Sequence, residues 1–295
     1  MAYESKIRWT DATVNFWLGC KKISPACANC YAERWASRAG RDFDKVVRAK
    51  DGTFYLPLHW KDPRVIFTCS LSDFFIEEAD QWRDDAWGVI KNMRQHRWLI
   101  LSKRWQRVRD NKNLIPWFRD NEEPWPHVRF GASAENQFQL EARLPAMFAC
   151  PAVGYFISAE PLLGPLDLNH VKMFVQPPAY RVKGKPVAPV SCPIEVDALR
   201  GRVINSLNLE YPMSRKISTV IVGGESGGPE HRALVFPNMV TKHWEPKALA
   251  LEWVQSIRYQ CQIAHTQFIF KQWGGPRPDS AGHEINGREY LGKVL

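Results

Sequence analysis

Three cysteines stand within eleven residues, Cys20, Cys27 and Cys30, spaced C-x6-C-x2-C in the segment GCKKISPACANCYAE. Thiolates at such short intervals in a reducing compartment favour metal ligation over a disulfide framework. Three are the number that suits a [4Fe-4S] cluster with one iron left open, on which S-adenosylmethionine (SAM) binds and is reductively cleaved to a 5'-deoxyadenosyl radical. The spacing therefore predicts a radical SAM enzyme with Cys20, Cys27 and Cys30 as metal ligands. Structural zinc would want a fourth ligand, and none follows soon after Cys30. A catalytic Cys27-x-x-Cys30 pair leaves Cys20 without a role, and inert buried thiols rarely cluster so closely. Cys69, Cys150, Cys192 and Cys261 are scattered.

Such a loop needs elements to hold it. Short apolar, β-branched runs recur at Thr13–Leu18, Arg64–Cys69, Trp98–Leu101, Val128–Ala132, Gly154–Ser158, Thr219–Val222 and Gln267–Phe270. Each closes on polar or glycine residues, and segments such as Asp80–His96 and Pro246–Tyr259 have the apolar spacing of helices. This rhythm predicts an α/β fold, a full or partial (β/α) barrel of the radical SAM type, with an open doubly wound sheet as the alternative. Residues 1–295 read as a single domain. The Pro/Lys-rich stretch 169–213 breaks the rhythm and reads as an insertion, a short hairpin or a lid.

In a barrel, residues just past the strands surround one mouth. Those residues are Ser70, Ser72 and Asp73; Lys103 and Arg104; Ser133, Glu135 and Asn136; Glu160; and Gly223, Gly224 and Glu225. Carboxylates and hydroxyls there suit the amino group and ribose of SAM, and Lys103 with Arg104 suits a carboxylate or an anionic substrate. Ser72, Asp73 and Ser133 have a structural alternative as helix caps. Glu160, before a proline at the end of an apolar run, points more strongly to the site, and Glu160, Lys103 and Glu225 form the expected catalytic set. The run GGESGG fits neither common phosphate-loop pattern, so its glycines are read as allowing close approach of backbone to ligand.

Forty Lys and Arg against thirty-one Asp and Glu give a formal charge of +9, which attracts polyanions. Thirteen Trp suit core packing and stacking on bases. A charged fraction of 24% with 12% aromatics excludes a disordered or collagen-like chain. No apolar run of spanning length appears, so the expectation is a cytoplasmic protein without a membrane partner.

The blocks KIRWTDATVNFWLGCKKISPACANCYAERWA, FTCSLSDFF, LILSKRWQRVRD, GASAENQ, FISAEPLLGPLDL, VIVGGESGG and FKQWGG resemble, in this order, the phage Gp37/Gp68 family (DUF5131-like), a group related to radical SAM enzymes. The resemblance implies cluster ligands at Cys20, Cys27 and Cys30. It implies SAM amino-group binding at Ser70–Asp73, ribose contacts from Ser133 and Glu135, and Tyr31 beside the adenine. It departs from the commonest radical SAM spacing, C-x3-C-x2-C, in its first interval and in Asn29 before Cys30. It further implies a nucleic acid or nucleotide substrate, with isomerisation of an amino-acid substituent on thymidine in hypermodified phage DNA, an electron donor such as flavodoxin or ferredoxin, and the host cytoplasm as location. Two alternatives stay open: a zinc-containing nucleic-acid-binding protein, and a radical SAM enzyme on a small molecule or peptide.

Overall fold

The computed structural model describes residues 3–175, 180–182, 185–187, 192–204 and 210–295. All seven apolar runs contribute a strand to one parallel sheet: β1 (Ala12–Val14), β2 (Val65–Thr68), β3 (Arg97–Ser102), β4 (Val128–Ser133), β5 (Tyr155–Ala159), β6 (Ile217–Gly223) and β7 (Gln267–Gln272); the first run, Thr13–Leu18, does so only by its opening residues, because Trp17–Leu18 pairs antiparallel with Val47–Arg48 instead. Their spatial order is their chain order, and every neighbouring pair is parallel. A doubly wound sheet would reverse direction at a switch point, so that alternative is excluded. The order is that of a barrel, yet among the described residues β1 does not pair with β7. The sheet is a partly curled half-barrel.

Two cores follow from the alternation of side chains. One face of the strands, with Trp98, Ile100, Phe130, Ile157 and Val222, packs under the helices together with Trp17, Trp87, Trp105 and Trp117. The covering helices include α2 (Asp80–Asn92), α3 (Trp105–Asp110), α4 (Gln137–Phe148) and α5 (Ala248–Ile263), while α1 (Tyr31–Arg38) packs apart from this core, its Ala32 and Ala36 against Phe43. Nine of the thirteen Trp are buried, which makes the tryptophan supply mainly a packing feature.

The other face gathers Phe67, Leu99, Phe156, Ile221 and Ile269, with Trp9 and Val294 from the two chain ends. These terminal segments fill the inside of the half-barrel below the mouth. Lys293 Nζ meets Asp11 at 3.0 Å, and Arg97 donates to the Val294 carbonyl.

The stretch 169–213 carries a four-stranded antiparallel sheet built from Val171–Val175, Cys192–Asp197, Arg202–Ile204 and Glu210–Pro212, and a hairpin of Tyr180–Val182 with Lys185–Val187. Residues 176–179, 183–184, 188–191 and 205–209 lie outside the described residues. Among the described residues, no helix is long and apolar enough to cross a membrane.

Candidate functional site

The strand ends do converge on one mouth, because parallel strands in sequential order present their C-terminal ends together. At its centre is Glu160, past β5. Its Oε2 accepts from Trp9 Nε1 at 3.1 Å and from Ser158 Oγ at 3.3 Å. Its Oε1 lies 3.1 Å from Lys271 Nζ but receives no hydrogen bond of proper direction among the described residues. The side chain is only 13% exposed, so this is a largely desolvated carboxylate with one oxygen incompletely satisfied. Gly223 explains how it fits: a Cβ there would stand 2.6 Å from Oε1.

Sequence reasoning missed Lys271 and Trp9. In β7, Gln267, Ile269 and Lys271 alternate onto the inner face, a period-2 signal that would have found the lysine. Trp9 precedes the first strand and carried no such signal.

The Ser70–Asp73 turn is tied into the fold. Ser70 Oγ receives Asn15 Nδ2 at 3.1 Å, and Ser72 donates to the Gly19 carbonyl. Asp73 accepts from Ser102 Oγ at 2.7 Å, from the Phe75 amide at 2.9 Å and from the Lys103 amide at 3.0 Å. This carboxylate joins the ends of β2 and β3. The Lys103 ammonium itself forms no ion pair among the described residues.

Ser133, the last residue of β4, is buried, and just past the strand Glu135 is fully buried with Arg143 at 2.7 Å. The other oxygen of Glu135 accepts the Ala26 amide at 3.2 Å, which seats the cysteine loop. Asn136 caps α4 by accepting from the Gln139 amide. Past β6, Gly224 approaches Trp273 so closely that a Cβ would lie 2.0 Å from its carbonyl oxygen. Glu225 is gripped in a bidentate pair by Arg232, both contacts 2.8 Å.

The cysteine loop crosses the mouth from the β1 side. Gly19, at φ +91°, has backbone carbonyls of Lys45 and Phe43 within 3 Å of where a Cβ would lie, so only glycine turns the chain there. After the loop, Arg34 of α1 donates to the carbonyls of Ser226 at 2.7 Å and Gly227 at 3.0 Å. The loop and α1 thus bridge β1 to the β6 end where no strand pairing does. Tyr31, at the start of α1, donates to the Ser70 carbonyl and is half exposed.

The three thiols do not form the cradle that their spacing predicts. Among the described residues, the one group of three or more His, Cys, Asp and Glu side chains whose ligand atoms lie within 4.8 Å of one another is His283, Glu284 and Glu289. Each cysteine is engaged separately. Cys20 contacts its neighbour's carbonyl and Arg104, Cys27 lies 3.7 Å from Ser24 Oγ, and Cys30 heads α1 beside the small cluster of Ala32, Ala36 and Phe43.

The expectations built on that cradle are corrected accordingly. They are the [4Fe-4S] cluster on Cys20, Cys27 and Cys30, SAM as cofactor, the radical SAM isomerase and the electron donor it would need. The SAM contacts assigned to Tyr31, Ser70, Ser72, Asp73, Ser133, Glu135, Gly223 and Gly224 lose their cofactor with it. Cysteine-held zinc meets the same geometric objection.

The thiols also differ electrostatically. Burial pushes Cys20 up to about 12. Burial also raises Cys27, but the Lys103 ammonium and hydrogen bonds from Ile23 and Ser24 outweigh it and hold this thiol below its ordinary value.

A cavity of about 360 Å³ opens elsewhere, lined by Gln137, Asp167, His170 and Gln260. Its polar groups are already joined to one another or to backbone: Gln137 to the Asp167 carbonyl, His170 to the Asp167 carboxylate, and Gln260 to the Leu168 amide. The mouth, with its incompletely satisfied carboxylate and a lysine that forms no ion pair among the described residues, is the stronger candidate.

No curated protein and no solved structure matches the chain. Its match over residues 4–295 shows that the chain belongs to the family described as "Protein of unknown function (DUF5131)".

Proposed function

We propose that this protein binds an anionic ligand of the nucleotide class at the C-terminal mouth of the half-barrel. The observation that carries the reading is Glu160, a mostly buried carboxylate with one oxygen short of a hydrogen bond, set beside Lys271 in a mouth that also contains Lys103, which forms no ion pair among the described residues.

A nucleotide suits this set chemically. Its hydroxyl or ring N–H donors complete the bonding of Glu160, and Lys103 meets a phosphate as a point charge. Tyr31 offers a half-exposed ring for stacking. The glycines at 223 and 224 let backbone approach the ligand, and Glu225 acts through Arg232 to hold that loop. Ser70, Ser72, Asp73, Ser133 and Glu135 position the walls. The excess of basic residues draws such a ligand in.

The likeness to the phage Gp37/Gp68 group, a cytoplasmic location, a single domain over 1–295 and a covering role for 169–213 belong to the same proposal.

Calorimetric titration with nucleoside mono- and triphosphates tests it, with inorganic phosphate as control. Glu160→Gln should weaken nucleotide binding while sparing phosphate, and Lys103→Met should weaken both. Nucleotides that fail to bind at millimolar concentration, or that bind both variants as they bind the parent, would refute the reading.

A further inference from the structure

Beside the mouth, the chain from β6 to α5 folds into a hairpin of Val235–Pro237 paired with Trp244–Pro246. Its turn is heavily determined. The Asn238 side chain accepts from the amides of Val240 at 2.9 Å and Thr241 at 3.2 Å, and its backbone bonds to His243 and Lys242. Lys242 occupies the left-handed region at φ +58°, which a residue with a Cβ adopts at a cost.

This ordered, strained turn holds Met239 at 85% exposure and Val240 at 90%, two adjacent apolar side chains standing in water. Folding gains nothing from that placement, since neither residue packs on the protein. Lys242 and His243 flank them and are exposed as well, while the Glu245 carboxylate is turned back onto Thr241 Oγ1 at 2.8 Å. The hairpin base is fixed. Val235 and Leu234 are buried, Lys247 Nζ donates to the Glu230 carbonyl, and Arg232 grips Glu225 at the end of β6.

We propose that this hairpin is a nucleic-acid contact, with Met239 and Val240 forming an apolar wedge that enters between base steps while Lys242 meets the adjacent phosphate. The inference rests on the nucleotide reading of the mouth and extends it from a monomeric ligand to a polymer. An apolar wedge with a cation beside it is the chemistry by which proteins unstack and kink DNA. The formal charge of +9 favours a polyanion over an acidic-poor protein surface as partner. The hairpin is also rooted at the mouth, since Arg232 before its first strand grips Glu225 just past β6, and a base leaving the stack needs such a site within reach.

The test uses the full chain, a fluorescein-labelled DNA duplex carrying 2-aminopurine at one central pair, and a nucleoside monophosphate titrated separately. The parent should bind the duplex and raise the 2-aminopurine signal. Met239→Ala with Val240→Ala should weaken duplex binding about tenfold and abolish that rise, with the salt slope and mononucleotide affinity unchanged. Lys242→Ala should reduce the salt slope by about one.

Duplex binding that is absent, or equal in parent and double variant, overturns the wedge. So does binding to phosphatidylserine vesicles in place of DNA, or a dimer of the parent that the double variant dissolves. Failure of mononucleotide binding in the presence of wedge-dependent duplex binding would instead reject the mouth reading and leave the hairpin contact standing.

Discussion

Arg143 donates to Glu135 across 2.7 Å with both side chains almost wholly excluded from water, and the same carboxylate receives the Ala26 amide of the cysteine loop. One buried pair thus couples a helix behind the sheet to the loop that crosses the mouth.

Removing one partner leaves a buried guanidinium unpaired, so Glu135→Gln should cost about 3 kcal/mol of stability at neutral pH, measured by urea unfolding. Burial raises the Glu135 carboxyl, but Arg143 outweighs it and the net shift is downward. A depressed folded value means that the stabilisation is present above the unfolded glutamate range near about 4.3 and is lost as pH falls through the folded value. The gap between parent and Glu135→Gln should therefore narrow in acid. A gap independent of pH would show that the ionised form contributes nothing.

His96 gives the opposite chemistry with a similar pH sign. Its ring is 1% exposed, lies between Trp60 and Trp98, and has neither nitrogen hydrogen-bonded among the described residues. Burial lowers its value, with help from Arg64, so the ring folds neutral. Its contribution is intact above the unfolded histidine range near about 6.5 and is lost as pH falls towards the folded value. His96→Phe should flatten the thermal stability profile between neutral and mildly acid pH, and an unchanged profile would assign the acid sensitivity elsewhere.

Thiol reactivity separates the cysteines. At neutral pH iodoacetamide should label Cys27 well before Cys20, because one thiol is held low and the other is pushed up to about 12. Lys103→Met should slow labelling of Cys27. Peptide mapping that finds Cys20 modified first would contradict this electrostatic ordering.

At the mouth, Gly223→Ala places a methyl against Glu160 Oε1. The carboxylate must move away from Lys271, at a cost of about 1 to 3 kcal/mol for overpacking, and nucleotide affinity should fall with it. Parent-like calorimetry in this variant would mean that the carboxylate's position is unimportant.

The half-barrel was legible in the chain because each parallel strand, buried on both faces, writes itself as an apolar run closed by polar residues; all seven contribute a strand. The same closing residues marked the mouth and its Glu160, Lys103 and Ser133. Spacing alone could not say where side chains turn. The triplet of cysteines is close in sequence, yet a loop anchored by Glu135 and Gly19 gives each thiol its own neighbours, and convergence is a property of that tertiary anchoring.

Nor could local pattern supply Trp9 and Lys271, which meet at Glu160 from opposite ends of the chain. The same holds for Arg34, which spans the open edge to reach Ser226. Sequence determined the strands and the chemistry available at their ends, through local periodicity. Only the tertiary structure decided which of those groups face one another and which are already satisfied, because that depends on contacts between residues far apart in the chain.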